Sequence, residues 1–317
     1  MYDIIALGEL LIDFACVSAD EEGYPTMAAH PGGAPANFLA AVNKFGGKTA
    51  LLGKVGTDTF GKLLLRTLKS SGIDTKGIVS ADDVFTTLAF VTFDDSGDRE
   101  FAFSRKPGAD TRLSFDEIEL GMIDEARAFH FGTLSLTDEP AREATYKAAE
   151  YAKTKGKLIT FDPNLRKPLW KSLDEAKTQM LWGLGMADVV KISDDEVDFL
   201  FGLSPEEGAK YILESFGVKL VFVTCGADGC FYANSNARGF VPAMKGLHVI
   251  DTCGAGDIFG GSAVWKMLCM DVGPEELSDA QLKEIVTFAC TAAGLSTERS
   301  GGISSIPDMA EVLERIK

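Results

Sequence analysis

Short apolar runs alternate with longer segments of helical period along the chain. The apolar runs predict strands at residues 4–7, 50–55, 128–131, 158–161, 189–192 and 220–224. Between them, apolar residues at helical spacing, such as Phe38, Val42 and Phe45, predict helices that each bury one face. Strands that alternate with helices are typical of βα units, so the sequence predicts a doubly wound α/β fold with a mainly parallel sheet.

Two segments, about 14–31 and 85–106, break this alternation. The second contains TTLAFVTFDDSGDREFAFS, two β-rich stretches around an Asp-Asp-Ser-Gly-Asp turn, which predicts a hairpin. Together the two segments are expected to form a small β-sheet lid. Since the sequence shows no repeat or linker, we expect a single domain, 1–317, with the lid segments inserted into the α/β core.

Four apolar residues of the hairpin, Leu88, Phe90, Phe101 and Phe103, alternate with more polar neighbours. This alternation predicts one apolar lid face that a monomer would expose. The sequence therefore predicts a homodimer that associates through the lids.

Composition narrows the possible partners and the compartment. The 47 acidic and 31 basic residues give a net charge of -16, which disfavours nucleic acid and anionic membranes as main partners. Six cysteines are scattered without CxxC pairs, as expected of reduced, mostly buried thiols. The first apolar run has no basic leader and no apolar run reaches about 18 residues, so a cytoplasmic protein is expected.

The stretch Asp251-Thr-Cys-Gly-Ala-Gly-Asp257 directly precedes an apolar helical segment, 258–270. Small residues at Gly254, Ala255 and Gly256 allow backbone N–H groups to point outward at a helix start, where the helix dipole adds positive potential. A first-turn Asp also stabilises a helix by its charge, but that role does not account for the small residues before it. We therefore predict a phosphate cradle with Asp257 as the base for an acceptor hydroxyl.

Other nucleotide-binding motifs do not match. Gly47-Lys48-Thr49 ends like a P-loop, but Val42 occupies the position of its first glycine and the segment enters a strand. After the first strand the chain reads GELLID rather than G-x-G-x-x-G. The sequence therefore disfavours a P-loop NTPase and a dinucleotide-dependent dehydrogenase.

A Gly-Gly pair at Gly32 and Gly33 opens the first long helix. The pair can be a simple loop, and Pro35 suits a first helical turn. Paired glycines also allow a ligand to approach the backbone, and the Asn37 amide offers a donor and an acceptor to sugar hydroxyls. These residues alone leave both interpretations open.

Two long motifs resemble those of a known family. The run from Gly32 to Gly61 resembles the N-terminal signature of the ribokinase-like (PfkB) carbohydrate kinases, and DTCGAGDIFGG resembles their C-terminal signature. The resemblance covers nearly the whole chain, and GGAPANF, FAFSRKPGADTRL and FDPNLRKPLW fit the fructokinase branch. It implies a three-layer α/β/α fold with a β lid and an enzyme that transfers the γ-phosphoryl group of ATP to fructose.

The resemblance also implies roles for single residues. The catalytic set that it implies is Asp257 as base, Gly254, Ala255 and Gly256 as anion hole, and Arg166 as a charge brace. The implied sugar contacts are Asp13, Gly32, Gly33, Asn37, Phe103, Arg105 and Asp257. The implied ATP contacts are Asn164, Lys191, Thr224, Gly226, Gly229, Gly254, Gly256 and Cys290, the last standing where relatives often carry Asn.

Metal sites follow from the same resemblance. Glu196 matches an Asn-x-x-Glu element that organises magnesium and its waters, with Ser193 in place of the Asn. A potassium ion is implied near six residues, mostly through backbone carbonyls: Asp251, Cys253, Ser296, Arg299, Gly301 and Ser305. The expected cofactors are ATP, Mg²⁺ and K⁺.

Several alternatives remain open at this point. Kinases of the same family act on 2-keto-3-deoxygluconate, ribose or nucleosides, and a sugar acid would need a further cation near Arg105 or Arg166. A non-catalytic sugar or nucleotide sensor is the alternative from a different class. The retained Asp257 disfavours a sensor, because a binding protein does not need a base.

Overall fold

The computed structural model describes residues 1–93 and 99–316, with the backbone alone described at 93 and 99–101. The predicted hairpin turn, 94–98, lies outside the described residues. In chain order the strands are β1 (Tyr2–Leu7), β2 (Leu11–Ala19), β3 (Pro25–Gly32), β4 (Thr49–Gly56), β5 (Ile78–Ala81), β6 (Leu88–Phe93), β7 (Arg99–Ser104), β8 (Ala126–Gly132), β9 (Leu158–Asp162), β10 (Val189–Ser193), β11 (Leu220–Thr224), β12 (Gly229–Asn234) and β13 (Arg238–Pro242). The helices are α1 (Ala34–Lys44), α2 (Thr59–Ser70), α3 (Leu120–Asp124), α4 (Ala141–Thr154), α5 (Leu173–Met186), α6 (Asp194–Phe201), α7 (Pro205–Phe216), α8 (Ala255–Leu268), α9 (Asp279–Ser296) and α10 (Met309–Ile316).

The main sheet has the strand order β13-β12-β11-β10-β9-β8-β1-β4-β5. Its strands run parallel except for the antiparallel edge formed by β12 and β13. Each of the six predicted strands lies within one of these strands. Continuous apolar runs form strands buried on both faces, and Ile4 and Ile5 on successive positions of β1 are both fully buried.

Helices cover both faces of this sheet. One buried apolar cluster contains Phe38 of α1, Ile258 of α8 and Ile285 of α9. The cluster on the other face contains Ala148 of α4 and Met180 of α5. The predicted three-layer α/β/α fold is therefore confirmed.

The second sheet is the lid, with the order β3-β2-β6-β7. Strand β2 pairs antiparallel with β3 and parallel with β6, and β6 and β7 form an antiparallel pair. Phe14 on β2 packs against Phe60 of α2 with ring centroids 5.5 Å apart, so the lid rests on the core. These strands lie in or beside the predicted segments 14–31 and 85–106.

The register of the lid separates residues that the sequence pattern grouped together. Leu88 pairs with Ser104, whereas Phe103 pairs with Ala89. Because neighbours across a pair share a face and successive residues alternate, Phe103 points to the opposite face from Leu88 and Phe90. The prediction of one apolar face is therefore wrong for the described side chains. The predicted strands were present, but their register depends on pairing partners distant in sequence.

Candidate active site

A cavity of about 200 Å³ lies between the lid and the carboxyl-terminal edge of the main sheet. Open α/β sheets bind ligands at this edge, and the volume is below the roughly 300–1,000 Å³ of drug-sized pockets, so the cavity suits a small ligand. The residues that line it are Glu9, Leu11, Asp13, Gly33, Ala34, Asn37, Phe103, Leu134, Asn164, Arg166, Lys191, Thr252, Cys253, Gly254, Gly256 and Asp257.

The predicted phosphate cradle forms the start of α8. Gly254 is the N-cap residue with a φ of 76°, a conformation that glycine adopts without strain. An added Cβ there would lie 3.0 Å from the Cα of Gly302, so the close packing also requires glycine. The first N–H groups of an α-helix have no intrahelical acceptor, so the first turn of α8, which holds Ala255, Gly256 and Asp257, can bind an anion.

Asp257 is 9% exposed and reaches the cavity from the first turn of α8. Nδ2 of Asn37 donates a hydrogen bond of 2.9 Å to its Oδ2. Burial raises the pKa of Asp257, while this hydrogen bond and the positive charges of Lys191 and Arg166 oppose the rise. A carboxylate with a raised pKa, held at a fixed angle beside an anion cradle, is suited to act as a general base.

Lys191 places a buried ammonium group beside the cradle. Nζ lies 3.1 Å from Oδ2 of Asp162, and an added Cβ at Gly256 would lie 3.1 Å from the same Nζ. Burial disfavours its charge, but the carboxylates of Asp162, Glu196 and Asp257 outweigh burial and raise its pKa. The cavity therefore contains a fixed positive charge beside the first turn of α8.

The loop after β9 presents two predicted phosphate contacts. Asn164 has a φ of 45°, and its N–H donates to Oδ1 of Asp162 at 3.2 Å. Arg166 follows at the end of this turn and also lines the cavity. Asp162 thus orients both the turn and the Lys191 ammonium, although the sequence motif assigned it no role.

The lid closes one wall of the cavity with Asp13 and Phe103. Asp13 pairs with His30 and Ala89, and Ala89 pairs with Phe103, so one row of the lid points these side chains to a common face. Burial raises the pKa of Asp13 to about 6, against the lowering effect of Arg166. The structure thus brings Asp13 and Phe103, two of the residues that the family resemblance assigned to the sugar, to one cavity.

The glycine pair before α1 completes this wall. An added Cβ at Gly32 would lie 2.1 Å from Oδ2 of Asp13, and one at Gly33 would lie 2.5 Å from the main-chain oxygen of Glu9. Gly33 also has a φ of 111°. Gly33, which lines the cavity, therefore requires glycine, whereas Gly32 lies outside the lining and meets the movable end of the Asp13 side chain.

Arg105 has a different position from the one that the motif suggested. It lies outside the cavity lining and is 4% exposed. Its nitrogens donate to Oδ2 of Asp110 at 2.8 Å, to Oγ1 of Thr137 at 2.6 Å and to the main-chain oxygen of Leu134 at 2.8 Å. This geometry makes Arg105 an anchor between the end of β7 and the core, rather than a sugar contact.

The predicted nucleotide contacts lie next to the cavity on the same sheet edge. Thr224 ends β11 and pairs with Ser193 of β10, and Gly226 and Gly229 both have positive φ in the following turn. Cys290 lies on α9, and burial raises the pKa of its thiol to about 12, so the thiol is neutral. These positions are compatible with a nucleotide beside the cavity.

The candidate metal positions offer few direct side-chain ligands. Within residues 1–93 and 99–316, no three His, Cys, Asp or Glu side chains gather around a common metal position. Glu196 accepts N–H groups from Leu165 at 2.7 Å and Ser193 at 2.9 Å, in a capping box that starts α6. Since each oxygen already accepts a backbone N–H and magnesium usually keeps several of its waters, the geometry favours a contact of Glu196 with magnesium through water.

The predicted potassium residues lie on two loops that Asp251 joins. Its carboxylate accepts the N–H of Cys253 at 2.9 Å and that of Gly301 at 3.1 Å. Ser296 ends α9, Arg299 pairs with Glu311, and Oγ of Ser305 donates to the oxygen of Gly302. With these side chains occupied, backbone carbonyls are the donors that remain for a hard cation.

Glu9 is the cavity residue that the sequence interpretation missed. It is 3% exposed, it follows β1, and its carboxylate reaches the start of α1. Glu9 stands two residues after the predicted strand 4–7, at the edge where open α/β sheets bind ligands. The signal was therefore present in the sequence.

The chain is similar to carbohydrate kinases over its whole length. The model of the pfkB family carbohydrate kinases matches residues 1–309. Fructokinase-1 of Zea mays is 41% identical over 320 residues, which cover 99% of this chain and 97% of that protein. Fructokinase-2 of Solanum lycopersicum is 41% identical over 321 residues, with 99% and 96% covered.

Solved structures agree with the sequence relatives. A fructokinase with bound ATP from Xylella fastidiosa superposes with a TM-score of 0.91 at 29% identity, covering 100% of this chain and 98% of that one. A ribokinase II from E. coli in complex with ATP and magnesium gives 0.87 at 29% identity, with 100% and 99% covered. A fructokinase double mutant from Vibrio cholerae O395, bound to fructose, ADP and a potassium ion, gives the same TM-score, identity and coverage.

Proposed function

The chain belongs to the pfkB family of carbohydrate kinases, and on that premise we propose that it transfers the γ-phosphoryl group of ATP to a hydroxyl of fructose. One observation carries this proposal. The Asp257 carboxylate and the first turn of α8 face the same small cavity as Asp13 and Gly33. A base, an anion cradle and a polar wall suited to a sugar therefore line the same cavity.

The residues of the cavity have different roles in the phosphoryl transfer. Asn37 holds Oδ2 of Asp257, so the other oxygen accepts the proton of the attacking hydroxyl. The amides of α8, with Lys191 and Arg166, stabilise the negative charge of the transferred group, and each donor contributes roughly 2.7–4 kcal/mol by analogy with oxyanion holes. Lid closure over Phe103 excludes water, which would otherwise hydrolyse ATP.

Two cations complete the proposal. Magnesium bound with ATP supplies charge neutralisation, and Glu196 would hold it through water. The loops joined by Asp251 would hold potassium through backbone carbonyls. Hard oxygen donors suit both ions.

The charges around the cavity favour a neutral sugar over a sugar acid. Arg105 directs its guanidinium to Asp110 and lies away from the cavity. Arg166 and Lys191 line the cavity, but Arg166 faces the carboxylates of Asp13 and Asp257, and Lys191 pairs with Asp162. A 2-keto-3-deoxygluconate carboxylate would therefore lack an unshared cation, so fructose fits the cavity better.

Association and location are further parts of the proposal. Val17 and Tyr24 on the lid are 61% and 71% exposed, which supports association of two copies through the lids. All six cysteines are free thiols, as in a reducing compartment such as the cytoplasm. No helix in the described ranges has the length and apolarity needed to span a bilayer.

A coupled ATP-consumption assay tests this function. We expect turnover with fructose to exceed that with ribose, glucose, adenosine and 2-keto-3-deoxygluconate. The Asp257→Asn variant should keep ATP binding but lose about 10²–10⁴-fold in kcat, since it cannot accept a proton. A sensor would bind fructose without turnover, and an Asp257→Asn variant of near-normal kcat would contradict the assigned mechanism.

A further inference from the structure

Glu9 brings a third carboxylate to the cavity, besides Asp13 and Asp257. It lines the cavity and is 3% exposed, and its Oε1 accepts the N–H of Ala34, the first residue of α1, at 2.9 Å. The N-cap residue of α1, Gly33, has no side chain that could accept this bond. Glu9 therefore caps α1 from a segment 25 residues away in sequence.

Helix capping alone does not explain a glutamate here. One oxygen of the carboxylate satisfies Ala34, while an ionised carboxylate offers about four acceptor positions. A glutamine would cap the helix through the same oxygen without burying a charge. Burial raises the pKa of Glu9 to about 7, so the ionised group is costly in the folded protein.

Glu9 and Asp257 line the same cavity and both contact the first turn of α1. Glu9 contacts Ala34 and Asp257 contacts Asn37, three residues further along α1. The first contact is to the main-chain N–H of Ala34 and the second is to the side-chain amide of Asn37. Because both carboxylates line this small cavity, one small ligand can contact both.

The charges around Glu9 come from the lid anchor. Asp110 and Arg105 both act on its carboxyl group, with opposite signs. Arg105 in turn holds the main-chain oxygen of Leu134, another residue of the cavity lining. The hydrogen bond from Ala34 holds the Glu9 carboxylate against α1, so it can serve as an oriented acceptor.

We propose that Glu9 is a sugar-binding carboxylate that accepts a hydrogen bond from a hydroxyl other than the one phosphorylated, and so determines acceptor specificity. This inference rests on the proposed kinase function and goes further by naming a recognition point besides Asp13 and Asp257. Asp257 recognises the reacting hydroxyl, and Glu9 recognises a distant one.

The test compares the wild-type protein with Glu9→Gln, which keeps an oxygen for Ala34, on fructose and on analogues that each lack one hydroxyl. We expect KM for fructose to rise about 10- to 100-fold, the usual effect of losing a hydrogen bond to a charged group, with KM for ATP changed less than twofold. The analogue that lacks the hydroxyl bound by Glu9 should have a higher KM than fructose with the wild type. With the variant, its KM should equal that of fructose. Asp58→Asn, a similar change at the cap of α2, should leave KM for fructose unchanged.

Two results would overturn the inference. If every analogue loses the same factor with both proteins, Glu9 contacts no hydroxyl. If KM for ATP rises in parallel with KM for fructose, Glu9 acts only through the structure. If the wild type prefers another sugar, the assignment of fructose is wrong but the inference about Glu9 is still testable. Analogues of that sugar, each lacking one hydroxyl, then replace the fructose analogues in the same comparison.

Discussion

At the scale of single residues, the burial of Glu9 links stability to pH. Its folded-state pKa of about 7 lies above the ordinary value of 4.5, so the folded protein binds more protons between these values. Stability from this group is complete below about pH 4.5 and is lost as pH rises through 7, with a total of about 3 kcal/mol. Ionisation of Glu9 therefore weakens the fold at the pH where its charge serves recognition.

Removing this charge should remove the pH dependence that it causes. We expect Glu9→Gln to be more stable relative to the wild type at pH 8 than at pH 5, by about 2–3 kcal/mol. Urea unfolding of both proteins at both pH values measures this difference. Other titrating groups, such as Asp13, affect both proteins equally, so their contributions to the free energy of unfolding cancel. An equal difference at the two pH values would show that Glu9 is not buried in its neutral form.

Single residues also show where sequence interpretation succeeded. Asp13, Asn37 and Asp257 were predicted from motifs, and all three line one cavity. Arg105 was assigned to the sugar from the same kind of motif, but its charge is neutralised by Asp110. A motif specifies which residue is present, whereas its partners depend on segments that only the fold brings together.

At the scale of elements, the glycine before α1 fixes how the helix begins. Gly33 has a φ of 111°, and an added Cβ would lie 2.5 Å from the main-chain oxygen of Glu9. Gly46, after the same helix, has a φ of 103° but open space around it. The two glycines thus differ in steric surroundings while sharing positive φ.

Alanine substitution at these glycines separates strain from steric contact. Gly46→Ala should cost about 1–2 kcal/mol through backbone strain alone. Gly33→Ala should cost about 1–3 kcal/mol more and should raise KM for fructose, because Glu9 must move. Urea denaturation and initial rates measure both effects, and equal losses for the two variants would contradict this description of the helix start.

The strands of the main sheet were the elements predicted most completely from the sequence. The six predicted strands are present because parallel strands are buried on both faces and their sequences are continuously apolar. Lid register was missed, since Leu88 and Phe103 look equivalent in sequence while their pairing partners place them on opposite faces. The Lys191 and Asp162 pair was missed for the same reason, because its members belong to separate strands.

At the scale of the whole molecule, association of two copies must overcome electrostatic repulsion. Each chain has a net charge of -16, so two copies repel each other at low ionic strength. At physiological salt the Debye length is about 8 Å, so the repulsion is largely screened. Short-range apolar contacts then determine whether two copies associate. Tyr24 and Val17, with Phe85 at the start of the second lid segment, are exposed apolar residues that would supply such contacts.

Sedimentation equilibrium at micromolar concentration and physiological salt tests this association. We expect the wild type to form dimers and Tyr24→Asp to shift them toward monomers, because a charge would be buried at the contact. Val272→Asp, an exposed apolar position outside the lid, should leave the distribution unchanged. A wild type that stays monomeric under these conditions would refute association through the lids.

Helix α1 carries Ala34 and Asn37 one turn apart, and these residues contact Glu9 and Asp257. Directed evolution toward a new acceptor will therefore fail when it targets this turn, because a shift that admits another substrate also misaligns the base. Productive libraries should instead vary the lid around Phe103, which lines the cavity but belongs to a different sheet.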